Sequence, residues 1–196
     1  MLRQEVSASE AGSNSPQTTQ GFDTDINSIF FKGNRMYIHH LARFNYTTYD
    51  VRRSQDVINP STSHCDIILL ANNANDDGDS SHPFLYARVL GIYHANVIYT
   101  GEGSLDYAAR RMEFLWVRWF KYDAHRSIAW TDSKLDPVRF LPMSDERAFG
   151  FVDPNHVLRG CHIVPTFVKG KARVDGISLS RLVRDGQDWS QYRVNR

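Results

Sequence analysis

The chain has 196 residues, of which 41% are hydrophobic and 23% are charged, so it suits one globular domain with tails and excludes fibrous or wholly disordered proteins. Its 23 Lys plus Arg balance 22 Asp plus Glu to a net charge of +1, which excludes a global field that would draw it onto nucleic acid or an anionic membrane. The aromatic share of 12% favours β structure.

The first residues form a polar segment. Residues 1–24 are rich in Ser, Thr, Gln and Glu and hold almost no large apolar side chain, so burial could not offset the entropy lost on ordering them. We expect a disordered leader there. Residues 28–31 and 35–38 are strand-like and flank the turn signal Lys32-Gly33-Asn34, which predicts a hairpin.

Short β-prone segments follow, and no long stretch has apolar residues at helical spacing. The predicted strands are residues 45–51, 65–71, 85–98, 112–122, 127–130, 138–140, 148–152 and 157–164. We predict one mostly β domain over residues 25–168, either a small SH3-like barrel or a sandwich. Residues 169–196 are read as a basic polar tail with a short helix over residues 177–184.

Two predicted strands are apolar on both faces, as expected of central strands in a small barrel or sandwich. In strand 112–122 the two faces carry Phe114, Trp116 and Phe120, and Leu115, Val117 and Trp119. In strand 85–98 alternation assigns Leu85, Val89 and Tyr93 to one face and Tyr86, Leu90 and Ile92 to the other. These two strands are therefore the predicted core pair.

Chemistry-bearing residues do not form a recognisable catalytic or metal-binding pattern. The pairs His64-Cys65 and Cys161-His162 point their members to opposite faces of a strand, and no C-x-x-C spacing stands nearby. A nucleophile elbow and a phosphate-binding loop are both absent from the sequence. We expect no enzyme activity, no metal and no cofactor. The disfavoured alternative is a metal-binding carboxylate set of Asp66, Glu113 and Asp153, because the pattern lacks helices and Asp153 precedes proline as a turn former.

Aromatic residues near the predicted strands are candidates for a binding groove. A small barrel cannot hide every ring, and an exposed cluster would bind a peptide or a methylated lysine. Burial in the core is the alternative for each ring. The candidates are Tyr86, Trp119, Trp130 and Phe149.

Two basic dipeptides are candidates for contact with nucleic acid or an acidic partner, because Arg suits bidentate recognition of phosphate or carboxylate. They are Arg52-Arg53 and Arg110-Arg111. Arg52 and Arg53 alternate across a strand, so we expect one of them to pair with Asp50 or Asp56. A solvated surface is the alternative.

The two cysteines are too few for a disulfide framework, and the first residues lack the apolar core of a signal peptide. The longest apolar runs are far shorter than the roughly 20 residues that span a bilayer. We therefore expect an intracellular protein in a reducing compartment, with no membrane partner.

Several blocks of the sequence have a familiar order. They are residues 45–53 (NYTTYDVRR), 82–92 (HPFLYARVLGI), 114–120 (FLWVRWF), 149–154 (FGFVDP) and 157–165 (VLRGCHIVP). Over most of residues 35–168 the chain resembles uncharacterised proteins of mushroom-forming fungi, many of them associated with transposable elements. More distantly it resembles the small β domain at the end of plant CACTA-type transposon proteins and bromo-adjacent homology (BAH) domains, which implies a nuclear module that binds histone tails or partner proteins.

The leading hypothesis is a non-catalytic interaction module linked to a mobile element. Its expected partner is a protein or histone peptide, with DNA contact through the local basic patches. The alternative is an accessory or degenerate fragment of a transposase whose catalytic core lies elsewhere. A decayed reading frame without selected activity is the third hypothesis.

Overall fold

The structure, a computed structural model, describes residues 28–47, 50, 52–71, 82–104, 106–123, 135–173 and 188–195. The strands in these ranges are β1 (Ile29–His39), β2 (Ala42–Thr47), β3 (Arg53–Ile58), β4 (Asp66–Leu70), β5 (Phe84–Tyr99), β6 (Arg110–Tyr122), β7 (Asp136–Phe140), β8 (Phe149–Val152), β9 (Val157–Pro165) and β10 (Tyr192–Asn195). The helical segments there are short 3₁₀ turns at Glu146–Ala148, Pro154–His156 and Phe167–Lys169. The prediction of a mostly β domain is confirmed.

Eight of the strands form one antiparallel sheet whose pairings run round in a ring. Starting from β5, the neighbours are β4, β9, β10, β7 and β6, and β6 pairs with β5 again. β1 pairs with the second half of β5, and β8 pairs with β6. β2 and β3 form a separate hairpin. The sheet is thus ring-like and carries two additional strands at its margins.

The inside of the ring holds an apolar cluster to which all six ring strands contribute. Its members are Ile68, Tyr86, Phe120, Val138, Ile163, Tyr192 and Val194. Two buried ion pairs accompany them. Arg88 Nε donates to Asp66 Oδ1 at 2.8 Å, and Arg118 Nη1 donates to Asp188 Oδ1 at 3.0 Å. Charges at this depth are tolerated because each has an opposite partner.

Burial and pairing act in opposite directions on the first of these pairs. Burial raises the pKa of the Asp66 carboxyl, and the charge and hydrogen bonds of Arg88 oppose part of that rise. Burial alone would lower the pKa of Arg88, but the Asp66 carboxylate more than compensates and raises it. Arg88 therefore stays a cation inside the ring, facing the rings of Phe120 and Phe140 at 5.6 and 5.3 Å.

A second apolar cluster lies on the opposite face of β4, β5 and β6, where the β2–β3 hairpin covers the sheet. Its buried members are Phe44, Ile58, Ile67, Leu69, Ala87, Val89, Ile92, Leu115, Val117 and Val152. Strands β5 and β6 therefore have buried residues on both faces, and their pairing extends from Tyr86↔Phe120 to Val97↔Arg110. The prediction that these two strands form the core pair is confirmed.

The hairpin predicted over residues 28–38 is wrong. Strand β1 runs through the whole segment, and its register with β5 shifts between Phe31 and Met36. Gly33 (φ 67°) and Asn34 (φ 50°) adopt left-handed backbone conformations within it. The turn residues were recognised, but they form a bulge in one strand because both flanks pair with β5.

The faces predicted for β5 are wrong beyond residue 89, since a bulge lies between Val89 and Gly91. Val89 pairs with Val117, whereas Tyr93 pairs with Phe114, so Val89 and Tyr93 lie on opposite faces. The Tyr93 ring lies over Gly91, where an added Cβ would come within 2.5 Å of it. The glycine thus allows the aromatic ring to lie across the bulge.

The prediction of a polar tail from residue 169 is wrong for residues 188–195, the last part of the chain that the structure describes. β10 lies between β9 and β7, and Gln191 and Tyr192 are fully buried. These residues belong to the β domain. The predicted leader (1–24), the strand over residues 127–130 and the helix over residues 177–184 lie outside the described residues.

Candidate functional site

Part of the sheet extends beyond the ring pairings as a three-stranded arm. It consists of β1, residues 92–99 of β5 and residues 110–116 of β6. Register places one set of side chains on the same face of this arm, continuing onto β8. We call the large apolar side chains of this surface the arm face, and Arg110 lies at its far end; the apolar members are Ile29, Phe31, Met36, Ile38, Tyr93, Val97, Tyr99, Met112, Phe114, Trp116 and Phe151.

The arm face is apolar and exposed. Ile38 is 66% exposed, Met36 is 58%, Met112 is 56% and Phe151 is 72%. Large apolar side chains with so much exposure contribute little to the stability of the domain itself, because they remain in water. The register places them side by side on one face, where they form a contiguous exposed apolar surface.

Aromatic rings form the base of the arm face. The Phe114 ring stacks on Tyr93 with centroids 5.7 Å apart and meets Phe151 edge-on at 5.6 Å. Trp116 and Phe149 lie beside them with centroids 6.1 Å apart. Offset and edge-on contacts of this kind hold neighbouring rings in place. The base of the arm face is therefore a packed aromatic platform with Phe151 as its most exposed member.

Of the three predicted groove residues that the structure describes, only Phe149 lies at this platform. Phe149 contacts Trp116 there. Tyr86 is 1% exposed, belongs to the ring interior and donates its hydroxyl proton to Asp136 Oδ2 at 2.5 Å, so it presents no surface to a ligand. Trp119 lies on the opposite face of β6, half-buried against the second cluster. Trp130 is outside the described residues.

The predicted basic residues lie in two separate places. Arg52 pairs with Asp50 at 2.9 Å, which confirms the expected neighbouring partner, and Arg53 is exposed at the start of β3. In the arm, Arg110 lies 3.7 Å from Asp106 and Arg111 lies 2.8 Å from Glu113. Three of the four arginines therefore have carboxylate partners, which reduces the positive potential available to a phosphate backbone.

The other face of the arm carries a pair of histidines. His39 Nε2 and His94 Nδ1 are 2.6 Å apart, and the Tyr37 ring stacks on His94 at 4.6 Å. Partial desolvation and the nearby charges of Arg111 and His39 lower the pKa of His94. A hydrogen bond between two imidazoles needs at least one unprotonated ring nitrogen as acceptor, so protonation of both rings would abolish this contact.

The cysteines and carboxylates are arranged as structural residues. Burial raises the pKa of the Cys161 thiol, which keeps it protonated and poorly nucleophilic. Asp153 accepts a hydrogen bond from the Asn155 N–H at 2.9 Å, as expected of a turn residue before proline. Across the described ranges, no three His, Cys, Asp or Glu side chains converge as a metal site. These same ranges contain no helix of the length and apolarity needed to cross a membrane.

Comparison with known proteins adds no relative: no protein-family model, curated protein or solved structure matches the chain. Function is therefore inferred from the residues and their geometry. The exposed apolar residues of β1 were missed by sequence reasoning. The signal lay in Ile29-Phe30-Phe31 and Met36-Tyr37-Ile38, where apolar residues occupy both faces of a strand that has a neighbour on one side only.

Proposed function

We propose that the chain is a non-catalytic protein-interaction module whose docking surface is the arm face. The observation that carries this proposal is the exposure of Met36, Ile38, Met112 and Phe151 on one continuous face. Contiguous apolar surface of this kind is uncommon on soluble monomers and marks sites of protein association. Aromatic residues and Met are also enriched at protein interfaces.

The charge of the arm face indicates what kind of partner it fits. None of its strand positions in the described residues holds Asp or Glu, so a basic histone tail would find no carboxylate there. Arg110 at its far end already pairs with Asp106, so little positive charge remains there to attract a phosphate backbone. The partner is therefore a protein surface that is apolar and uncharged. A second copy of the chain presents such a surface, so self-association is the form of docking that we commit to.

The face of the arm, and not its free edge, is favoured for docking. Among the described strands β1 is the last on its side of the sheet, and an extended segment could in principle add beside it. However, the bulge between Phe31 and Met36 interrupts that edge and places Lys32 and Arg35 along it. Bulges and charges are common devices that prevent edge-to-edge pairing.

Analytical ultracentrifugation of the purified chain over a wide concentration range tests this proposal. We expect a reversible dimer that is insensitive to moderate salt, because apolar burial is not screened. Ile38→Ser and Phe151→Ser should each shift the equilibrium to monomer. Both side chains are exposed, so thermal stability should change little.

Val168→Ser is the matched control, since Val168 is 96% exposed and lies outside the arm. This variant should dimerise like the parent chain. A monomer at every concentration, or equal dimerisation of all four proteins, would refute docking through the arm face. Binding to a histone-tail peptide array would restore the chromatin form of the hypothesis, and steeply salt-dependent binding to a DNA duplex would move attention to Arg52 and Arg53.

A further inference from the structure

A cleft with a mixed polar and apolar lining lies on the side of the ring where β3 approaches β9 and β10. Its volume is about 770 Å³, within the range of small-ligand sites. The residues that matter chemically are Asp56, His64, Arg159, Gly160, His162 and Asn195. None of them belongs to the arm face, so the cleft is a separate feature of the molecule.

Arg159 is the unusual residue of the cleft. Its guanidinium lies 5.6 Å from the centroid of the Tyr46 ring, and its Nε donates to the Gly160 carbonyl at 3.4 Å. No carboxylate among the described residues pairs with it, whereas Arg88 and Arg118 each have one. Arg159 is half-buried, and the partial loss of its hydration favours an anionic partner.

The single carboxylate among the described residues that line the cleft is held by the backbone of β9. Asp56 Oδ2 accepts the backbone N–H of Gly160 at 2.8 Å and so joins the hairpin to β9. A Cβ at Gly160 would approach Ile58 within 3.1 Å, which shows how closely the two elements meet. Asp56 thus serves as a structural contact, and the terminal nitrogens of Arg159 keep their capacity to donate.

We propose that this cleft binds a small organic oxyanion, with Arg159 as its main donor. A guanidinium that lies over an aromatic ring keeps its N–H edge free for a bidentate contact with a carboxylate or phosphate. His64 and His162 add ring N–H donors within the same cleft. The volume exceeds that of the anionic group alone, so the ligand carries further atoms beyond its carboxylate or phosphate.

The test is a titration of the ¹⁵N-labelled full chain, followed by amide chemical shifts at constant pH and ionic strength. The probes are malonate and inorganic phosphate, which distinguish carboxylate from phosphate as the source of the oxyanion. We expect saturable shifts at Gly160, His162 and Asn195 with at least one probe. Arg159→Gln should weaken that affinity about tenfold or more, as loss of a charged hydrogen-bonding pair does.

Arg139→Gln is the matched control, because Arg139 is exposed on β7 and does not line the cleft. It should bind the probe like the parent chain. Arg159→Lys keeps the charge but loses the planar fork, so it should also bind more weakly while retaining the fold. Shifts that do not saturate, or equal affinity of the Arg159→Lys and parent chains, would overturn the assignment. Dimerisation through the arm face is measured independently, so either proposal can fail alone.

Discussion

The guanidinium carbon of Arg118 lies 3.8 Å from the centroid of the Phe140 ring while the same side chain holds Asp188. Arg88 faces Phe140 at 5.3 Å. Phe140 is thus in contact with both buried arginines of the ring interior. Aromatic rings in this position stabilise the cations and fill the space between them. The interior of the ring depends on charge pairing as well as on apolar packing.

Removal of one partner from a buried pair should be costly. We expect Asp188→Asn to lower the free energy of unfolding by about 3 kcal/mol, because Arg118 would keep its charge without a counterion. Urea denaturation measures this change. Glu113→Gln removes the partner of Arg111 in an exposed pair and should cost less than about 1 kcal/mol. Equal costs for the two variants would show that the interior pair is not desolvated as described.

Stability should fall on mild acidification because of His94. Its pKa is lowered in the folded chain, so the unfolded chain binds the proton more readily and folding loses free energy as the pH falls through and below 6.5. The groups that face it are Tyr37, His39, Arg111 and Glu113. Thermal unfolding between pH 7.5 and 5 measures the effect.

The controls for this pH dependence are two histidine variants. His94→Gln should flatten the dependence, since it removes the group with the lowered pKa. His40→Gln changes an exposed histidine just after β1 and should leave the dependence intact. An unchanged slope in His94→Gln would contradict the assignment to this pair.

Both thiols should react slowly in the native chain. Burial raises the pKa of Cys161, so little of its thiolate is available at pH 8, and Cys65 is 8% exposed, so a reagent has little access to it. A disulfide reagent such as Ellman's reagent should label fewer than one thiol per chain within minutes, and both thiols once denaturant is added. Rapid labelling of the folded Cys161→Ser variant would show that Cys65 is open to solvent, contrary to the structure.

Gly91→Ala tests the bulge at the base of the arm. The new Cβ would collide with the end of the Tyr93 ring, which would have to swing away from its stacked contact with Phe114. We expect a loss of stability that is smaller when Tyr93 is already Ala. A double-mutant cycle by denaturation therefore measures the coupling. Additive effects would show that Tyr93 does not lie over Gly91.

The sequence predicted the class of the fold and the pairing of β5 with β6, because apolar residues on both faces of a strand indicate burial on both sides. It did not predict the face of Tyr93, since alternation carries no sign of the bulge before Gly91. β10 was missed because a four-residue strand derives its stability from distant neighbours. Local pattern cannot reveal such neighbours.

The candidate site was less predictable than the fold. Tyr86 and Phe149 are both aromatic residues on predicted strands, yet Tyr86 is buried in the ring and Phe149 lies half-buried at the aromatic platform. Which ring is exposed depends on the closure of the sheet. Among the described residues Arg159 has no carboxylate partner, which likewise depends on the approach of the hairpin to β9, and no local motif encodes it.

The position of β10 between β9 and β7 sets the order of events during synthesis. Every other strand of the ring leaves the ribosome earlier, yet β7 and β9 acquire their shared neighbour only when residues 192–195 have emerged. Until then the margins of both strands and the apolar interior between them are open to solvent. A nascent chain in this state has unpaired strand edges, which are prone to aggregate, so we expect the ring to close only after residues 192–195 have emerged.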